Sequence, residues 1–221
     1  MPHLAAPPSK PGSWPITVGA EGIAAAQFAR CGFDVLVQAG HDKPWYDLLV
    51  TAAGKMLKIA VKASDDGCWN LARPYLNRSA NLNGKRIDCH GAIGLWLDAH
   101  GERTIYCLVQ FEGVALSQLP RLYLATPVEI ARRLHETAER LSDPILYEQY
   151  EWTCPETNCT SIEALPSSWL FSHERIQELL FPQLAAAILM PPARRNSVTV
   201  EMRSKAADLA REDMREAVLT A

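Results

Sequence analysis

Asp47 and Lys62 are the residues of this chain whose types and spacing best suit acid and cation chemistry, and both lie in the stretch P-W-Y-D-L-L-V-T-A-A-G-K-M-L-K-I-A-V-K-A-S, Pro44 to Ser64. The apolar runs Leu48 to Val50 and Leu57 to Val61 flank Ala53-Gly54, an alternation closed by a turn signal that predicts a β-hairpin. With Ala53 and Gly54 as the loop, Ala52 pairs with Lys55, and the same register sets Asp47 opposite Ala60. Side chains alternate across a strand, so Asp47, Ala60 and Lys62 share one face, while Leu48, Val50, Ile59 and Val61 point to the other. One acid and one lysine therefore stand together at the open end of the hairpin. Two readings follow: an exposed cross-strand ion pair, worth a fraction of a kcal/mol, or a carboxylate that takes a divalent cation beside an ammonium that holds a phosphate.

The elements around the hairpin decide what reaches that end. Alanine-rich residues from Gly19 to Cys31 predict a helix that Gly32 stops. Glu21, Ala24, Ala25 and Phe28 recur at i, i+3, i+4 and i+7, which puts the acid on the apolar face. Glu21 is then either a first-turn acid favoured by the helix dipole or a second acid of the site. Phe33 to Gln38 alternates as a first strand, and the linker Ala39 to Trp45 carries a His41-Asp42 pair suited to turn chemistry.

Residues 65 to 86 show no periodicity and follow directly on Lys62. They are the most basic, aromatic-interleaved stretch: Arg73, Arg78, Lys85 and Arg86 alternate with Trp69 and Tyr75. Such a loop either holds phosphates and base edges or is a solvated segment whose aromatics anchor it to the core. Asp65 or Asp66 could swing a carboxylate back toward Lys62, but their position past the strand end argues against it.

Arg86 to Leu97 and Thr104 to Phe111 read as two more strands joined by D-A-H-G-E-R, with Asp88 in a structural role at the start of the first. Thr126-Pro127 sets the start of a helix ending at Ser142-Asp143-Pro144. Beyond Tyr150 the pattern is irregular, followed by a helix from about Ser172 to Met190 with Pro182 inside it. A last amphipathic helix from about Thr199 to Leu219 docks on the domain or on a second copy in a homodimer.

Several of these pieces occur in the order of a known family. G-A-E-G-I-A-A-A-Q-F-A-R-C-G-F-D-V (Gly19 to Val35), Y-D-L-L-V (Tyr46 to Val50), I-A-V-K-A-S (Ile59 to Ser64) and R-I-D-C-H-G-A-I-G-L-W-L (Arg86 to Leu97) lead into T-I-Y-C-L-V (Thr104 to Val109). Over residues 19 to 115 the chain resembles the PD-(D/E)XK nuclease superfamily, particularly the branch with intron-encoded homing endonucleases and Holliday-junction resolvases. The resemblance implies an α/β, restriction-endonuclease-like mixed central sheet flanked by helices, here with a helical C-terminal extension. It implies a metal-dependent DNA endonuclease using Mg²⁺ or Mn²⁺, with Asp47 and Glu21 as metal ligands and Asp47, Glu21 and Lys62 as the catalytic set. One departure stands out: the residue two before the lysine, an acid or Gln ligand in the family, is Ala60. The alternative is accordingly a catalytically inactive DNA-binding or protein-interaction module on the same fold.

Composition bounds these readings. The chain has 221 residues, 48% hydrophobic and 21% charged, with a formal net charge of -3, so a DNA partner must be met by a local basic patch instead of bulk charge. The expected organisation is a lead at 1–16, a core at 17–145 and an extension at 146–221. Of the six cysteines, Cys31, Cys68, Cys89 and Cys107 lack paired spacing and read as reduced thiols. Cys154 and Cys159 are close, but zinc would need a second pair or histidines that the spacing does not supply. The proline-rich start has no apolar segment of a signal peptide, and the longest apolar run, Leu184 to Met190, is too short for a membrane span. A cytoplasmic protein with no membrane partner is expected.

Overall fold

The computed structural model describes residues 13–38, 46–76, 88–100 and 104–182. By internal contacts the chain divides into two units, Met1–Ile176 and Gln177–Ala221. Among the described residues, no helix is long and apolar enough to cross a membrane.

A five-stranded mixed sheet runs through the first unit, with helices on both sides. Its strands are β1 (Asp34–Val37), β2 (Leu48–Ala52), β3 (Lys55–Ser64), β5 (Thr104–Gln110) and β6 (Arg121–Ala125), in the spatial order β1-β2-β3-β5-β6. β1 with β2, β2 with β3, and β5 with β6 are antiparallel, and β3 with β5 is parallel. The hairpin register is the expected one: Ala52 faces Lys55 and Leu48 faces Ile59. Ala53 (φ 47) and Gly54 (φ 71) both take positive φ, as the tight two-residue turn requires. The paired register ends at Leu48 and Ile59; just beyond it the Asp47 amide donates to the same Ile59 carbonyl, so the expected Asp47–Ala60 pairing is not continued, and Ala60 pairs with Tyr106 on β5.

The parallel β3–β5 pair corrects one expectation. Arg86 to Leu97 is not a strand: Cys89–Asp98 forms helix α2. Strands running the same way cannot be joined by a hairpin and need a crossover, which α2 supplies. Its buried residues Cys89, Ala92, Ile93 and Trp96 fall at i, i+3, i+4 and i+7, the period of a helix. Asp88 has the structural role expected of it, but at a helix, where its Oδ1 accepts from the Gly91 amide at 2.7 Å.

Helix α1 (Ser13–Arg30) starts earlier than the alanine run suggests and takes in the end of the expected lead. It packs on β1, β2, β3 and β5 through Ala20, Ala24 and Phe28, all fully buried. Helix α3 (Pro127–Leu141) has the bounds its end signals indicate. Thr126 Oγ1 accepts from the Glu129 amide, the Glu129 carboxylate accepts from the Thr126 amide, and Ser142 closes the helix in the left-handed region (φ 55).

Two segments that read as irregular hold strands. The 65–86 stretch contains β4 (Cys68–Trp69), paired with β7 (Leu146–Tyr147), and a 3-10 turn at Arg73–Tyr75. The segment after Tyr150 is part of a second hairpin, β8 (Gln149–Thr153) with β9 (Thr160–Ala164), where the Cys154 amide bonds the Cys159 carbonyl at 2.9 Å. A second 3-10 turn, Ser167–Trp169, leads to helix α4 (His173–Leu180), which breaks at Phe181 beside Pro182; residues 183–190 of the expected helix and the helix expected at 199–219 lie outside the described residues.

The sheet alternation separates two layers. Ala60, Tyr106, Leu108, Tyr123 and Ala125 cluster with Ile93 and Trp96 of α2 and with Ile130 and Leu134 of α3. Ile59, Val61, Cys107 and Leu124 have the opposite parity and are buried on the side where α1 packs. Ala60 and Lys62 therefore belong to the α2 side of the sheet, where Asp47 lines a pocket with them.

Candidate active site

A pocket of about 510 Å³ opens on that side. Tyr46 and Asp47 contribute from just before β2, Ala60 and Lys62 from β3, and Tyr106 from β5; Asn70, Leu71 and Tyr75 come from the segment after β4, and Trp96 and His100 from α2 and its end. Asp47 and Lys62 line it together, as expected of the open end of the hairpin.

The Asp47 carboxylate is fixed by backbone. Its Oδ2 accepts from the Val61 amide at 2.7 Å, while its own amide donates to Ile59 O at 2.7 Å. The side chain thus extends the β2–β3 ladder one step past the strand end. Ala60 is 3% exposed at the pocket wall and offers no ligand atom. Lys62 is exposed at the rim.

Aromatic rings line much of the rest of the pocket. Trp96 and Tyr106 lie 5.6 Å apart between centroids, and His100 sits 4.7 Å from Trp96 and 5.4 Å from Tyr106. Burial raises the Tyr106 hydroxyl well above its ordinary value, with smaller contributions from Tyr75 and Asp47, so it is a neutral donor. His100 Nδ1 bonds the Trp96 carbonyl oxygen. Burial, and then the charge of Lys62, lower the His100 pKa against the opposing pull of that carbonyl.

Other expected site residues lie elsewhere. Glu21 is on α1, which packs on the other side of the sheet, and it does not line the pocket. Trp69 is 3% exposed in the core, and its indole N–H donates to Lys62 O at 3.0 Å. A base cannot stack on a ring so covered, so Trp69 anchors the segment, the structural alternative for its aromatics. Tyr75 lines the pocket and Arg73 is exposed on the 3-10 turn. Arg78, Lys85 and Arg86, and also His41 and Asp42, lie outside the described residues. Asp66 does not swing back: its Oδ1 accepts from Ser64 Oγ at 3.0 Å and from the Cys68 amide at 3.3 Å.

His100, Trp96, Tyr106 and Asn70 are pocket residues that the sequence pattern does not single out. In sequence the histidine reads as part of a turn between two strands, and only the parallel strand order turns that segment back over the hairpin. Its one sequence signal is position, just after the apolar period of α2.

A larger pocket, about 590 Å³, lies by β6 and the β8–β9 hairpin. Its polar groups satisfy one another: Arg121 donates to both Glu148 oxygens at 2.6 and 2.7 Å and to Glu112 O at 3.1 Å, and Tyr123 donates to Glu148 at 2.7 Å. That saturation suits a structural network better than a reactive site.

Among the described residues no three His, Cys, Asp or Glu side chains form a metal-holding group. At the smaller pocket the lining supplies the Asp47 carboxylate, with Asn70 and His100 as neutral donors, and one Asp47 oxygen accepts from Val61. That set fits a hard cation that keeps most of its water, as Mg²⁺ does, and not a closed protein cage. The chain matches no protein-family model and no curated protein sequence.

Proposed function

We propose that this chain is a divalent-cation-dependent DNA endonuclease that hydrolyses a phosphodiester at the Asp47–Lys62 pocket. The observation that carries the reading is the placement of Asp47 and Lys62 in one pocket on one face of the sheet, with Ala60 between them on its wall. Asp47 would hold Mg²⁺ or Mn²⁺ through its carboxylate. Lys62, at the rim, orients the phosphate by charge and hydrogen bonding. The bound cation lowers the pKa of water and neutralises charge developing on the phosphate. Tyr106 is a neutral donor lining the same pocket, and Arg73, exposed on the 3-10 turn two residues before the pocket-lining Tyr75, suits a flanking phosphate. A cytoplasmic setting belongs to this reading, supported by six free thiols.

A second reading keeps the fold as a non-catalytic DNA-binding or protein-interaction module. It is favoured by Ala60, which leaves the pocket with a single carboxylate. Incubation of the full chain with supercoiled plasmid and Mg²⁺ or Mn²⁺ separates the two. Nicking that is lost in Asp47→Ala supports the nuclease; intact plasmid at every cation concentration overturns it.

A further inference from the structure

We infer that His100 is the general base of the proposed hydrolysis, a role that rests on the nuclease reading above. Three observations converge on the ring. It lines the same pocket as Asp47 and Lys62. It is held in place by Trp96 at 4.7 Å and Tyr106 at 5.4 Å. Its Nδ1 faces the Trp96 carbonyl oxygen, which can only accept, so Nδ1 bears the proton and Nε2 bears the lone pair of the neutral imidazole.

A structural alternative is that His100 serves only to cap the C-terminus of α2. A cap of that kind gains most as a cation, because the helix dipole favours positive charge there. The pocket opposes the cation: the ring is half-buried, and Lys62 is the charged neighbour acting on it, with Asp47, Tyr46, Tyr75 and Tyr106 the other titratable groups lining the space. The site thus keeps the imidazole in its proton-accepting form near neutral pH. It also supplies a basic atom where Ala60 supplies none.

In the step itself a water oxygen attacks phosphorus as Nε2 takes the water proton, and the bond from phosphorus to the leaving ester oxygen breaks. The leaving oxygen is protonated by solvent, and the imidazolium later returns its proton to water. No oxidant or further reactant is needed.

The test compares full-length wild type with His100→Asn, whose amide N–H can still reach the Trp96 carbonyl, with His100→Gln as a second folded variant, and with His100→Ala given imidazole. Plasmid nicking is followed from about pH 5 to about 8, and duplex affinity is read by fluorescence anisotropy. The expected result is a fall in rate of about 10²- to 10⁴-fold in His100→Asn with unchanged affinity. The wild-type rate falls with acid as Nε2 is protonated, that limb disappears in the Asn variant, and imidazole restores part of the His100→Ala rate. If wild type cleaves and the folded Asn and Gln variants match its rate and pH profile, the inference is overturned and the nuclease reading stands. If wild type binds duplex without cleaving it, the nuclease reading falls and takes the base with it.

Discussion

Oδ2 of Asp47 accepts a 2.7 Å hydrogen bond from the amide of Val61, so the acid of the candidate site is also the last rung between β2 and β3. Its two jobs can be separated by substitution. Asp47→Asn keeps an oxygen for the Val61 amide, whereas Asp47→Ala leaves that part-buried donor without its acceptor, at a cost of about 1–3 kcal/mol. Urea denaturation is expected to show Asp47→Ala less stable than Asp47→Asn by about that amount, while both abolish nicking. Equal stabilities would show that the hydrogen bond does not support the hairpin end.

Ala60 lines the same pocket as Asp47 and Lys62, so a longer polar side chain there would extend beside an acid and a lysine. Ala60→Glu and Ala60→Gln are expected to tighten Mn²⁺ binding, measured by calorimetry, and to raise nicking by about 10²- to 10³-fold, the scale of one well-placed electrostatic group. Both gains should vanish when Asp47→Ala is added. Folded variants with no gain in cation affinity would favour the non-catalytic module.

Arg73 is exposed on the 3-10 turn next to the pocket-lining Tyr75, in the stretch expected to meet phosphates. Replacing Arg73, Arg78, Lys85 and Arg86 together by Ala should weaken duplex binding and reduce the slope of log K against log salt by about one for each phosphate that is no longer neutralised. An unchanged slope would remove this segment from the interface.

Glu129 links the α3 cap to the start of α4: its two oxygens accept from Arg175 Nη2 at 2.7 Å, and Oε2 also accepts from Thr126. Burial alone would raise its pKa, but the Arg175 and Thr126 hydrogen bonds outweigh it and hold the carboxyl below the ordinary value of 4.5. A depressed acid stabilises the fold fully above the unfolded value, and that contribution is lost as pH falls through the folded one. Arg175→Ala is therefore expected to cost about 1.5–3 kcal/mol at neutral pH, with the gap to wild type narrowing below pH 4.5. Denaturant melts at neutral and acidic pH measure it, and a gap independent of pH would refute the pairing.

The hairpin and α3 can be read from the sequence because their signals are local. A two-residue turn fixes the β2–β3 register, and Thr126-Pro127 with Glu129 fixes a helix start, without reference to the rest of the chain. α2 reads wrongly as a strand because Ile87 to Leu97 is apolar enough for either element, and only the parallel direction of β5 beside β3 excludes a strand there. β8 alternates, but over only five residues, and β9 is almost wholly exposed, so the pair carries too short a pattern to mark a hairpin. At the site, Asp47 and Lys62 follow from the register, whereas His100 and Tyr106 reach the pocket only through tertiary packing.

The β3–α2–β5 crossover also bears on the order in which the pocket assembles. The Asp47–Val61 hydrogen bond closes within one hairpin, an event of microseconds in isolated peptides. The wall made by Trp96, His100 and Tyr106 has to wait until the chain from Ser64 to Thr104 has looped back and laid β5 parallel to β3, the slow kind of pairing in folding. The acid and lysine would be in place while the basic ring is still absent, so in refolding experiments the hairpin should be protected from hydrogen exchange before cleavage activity returns.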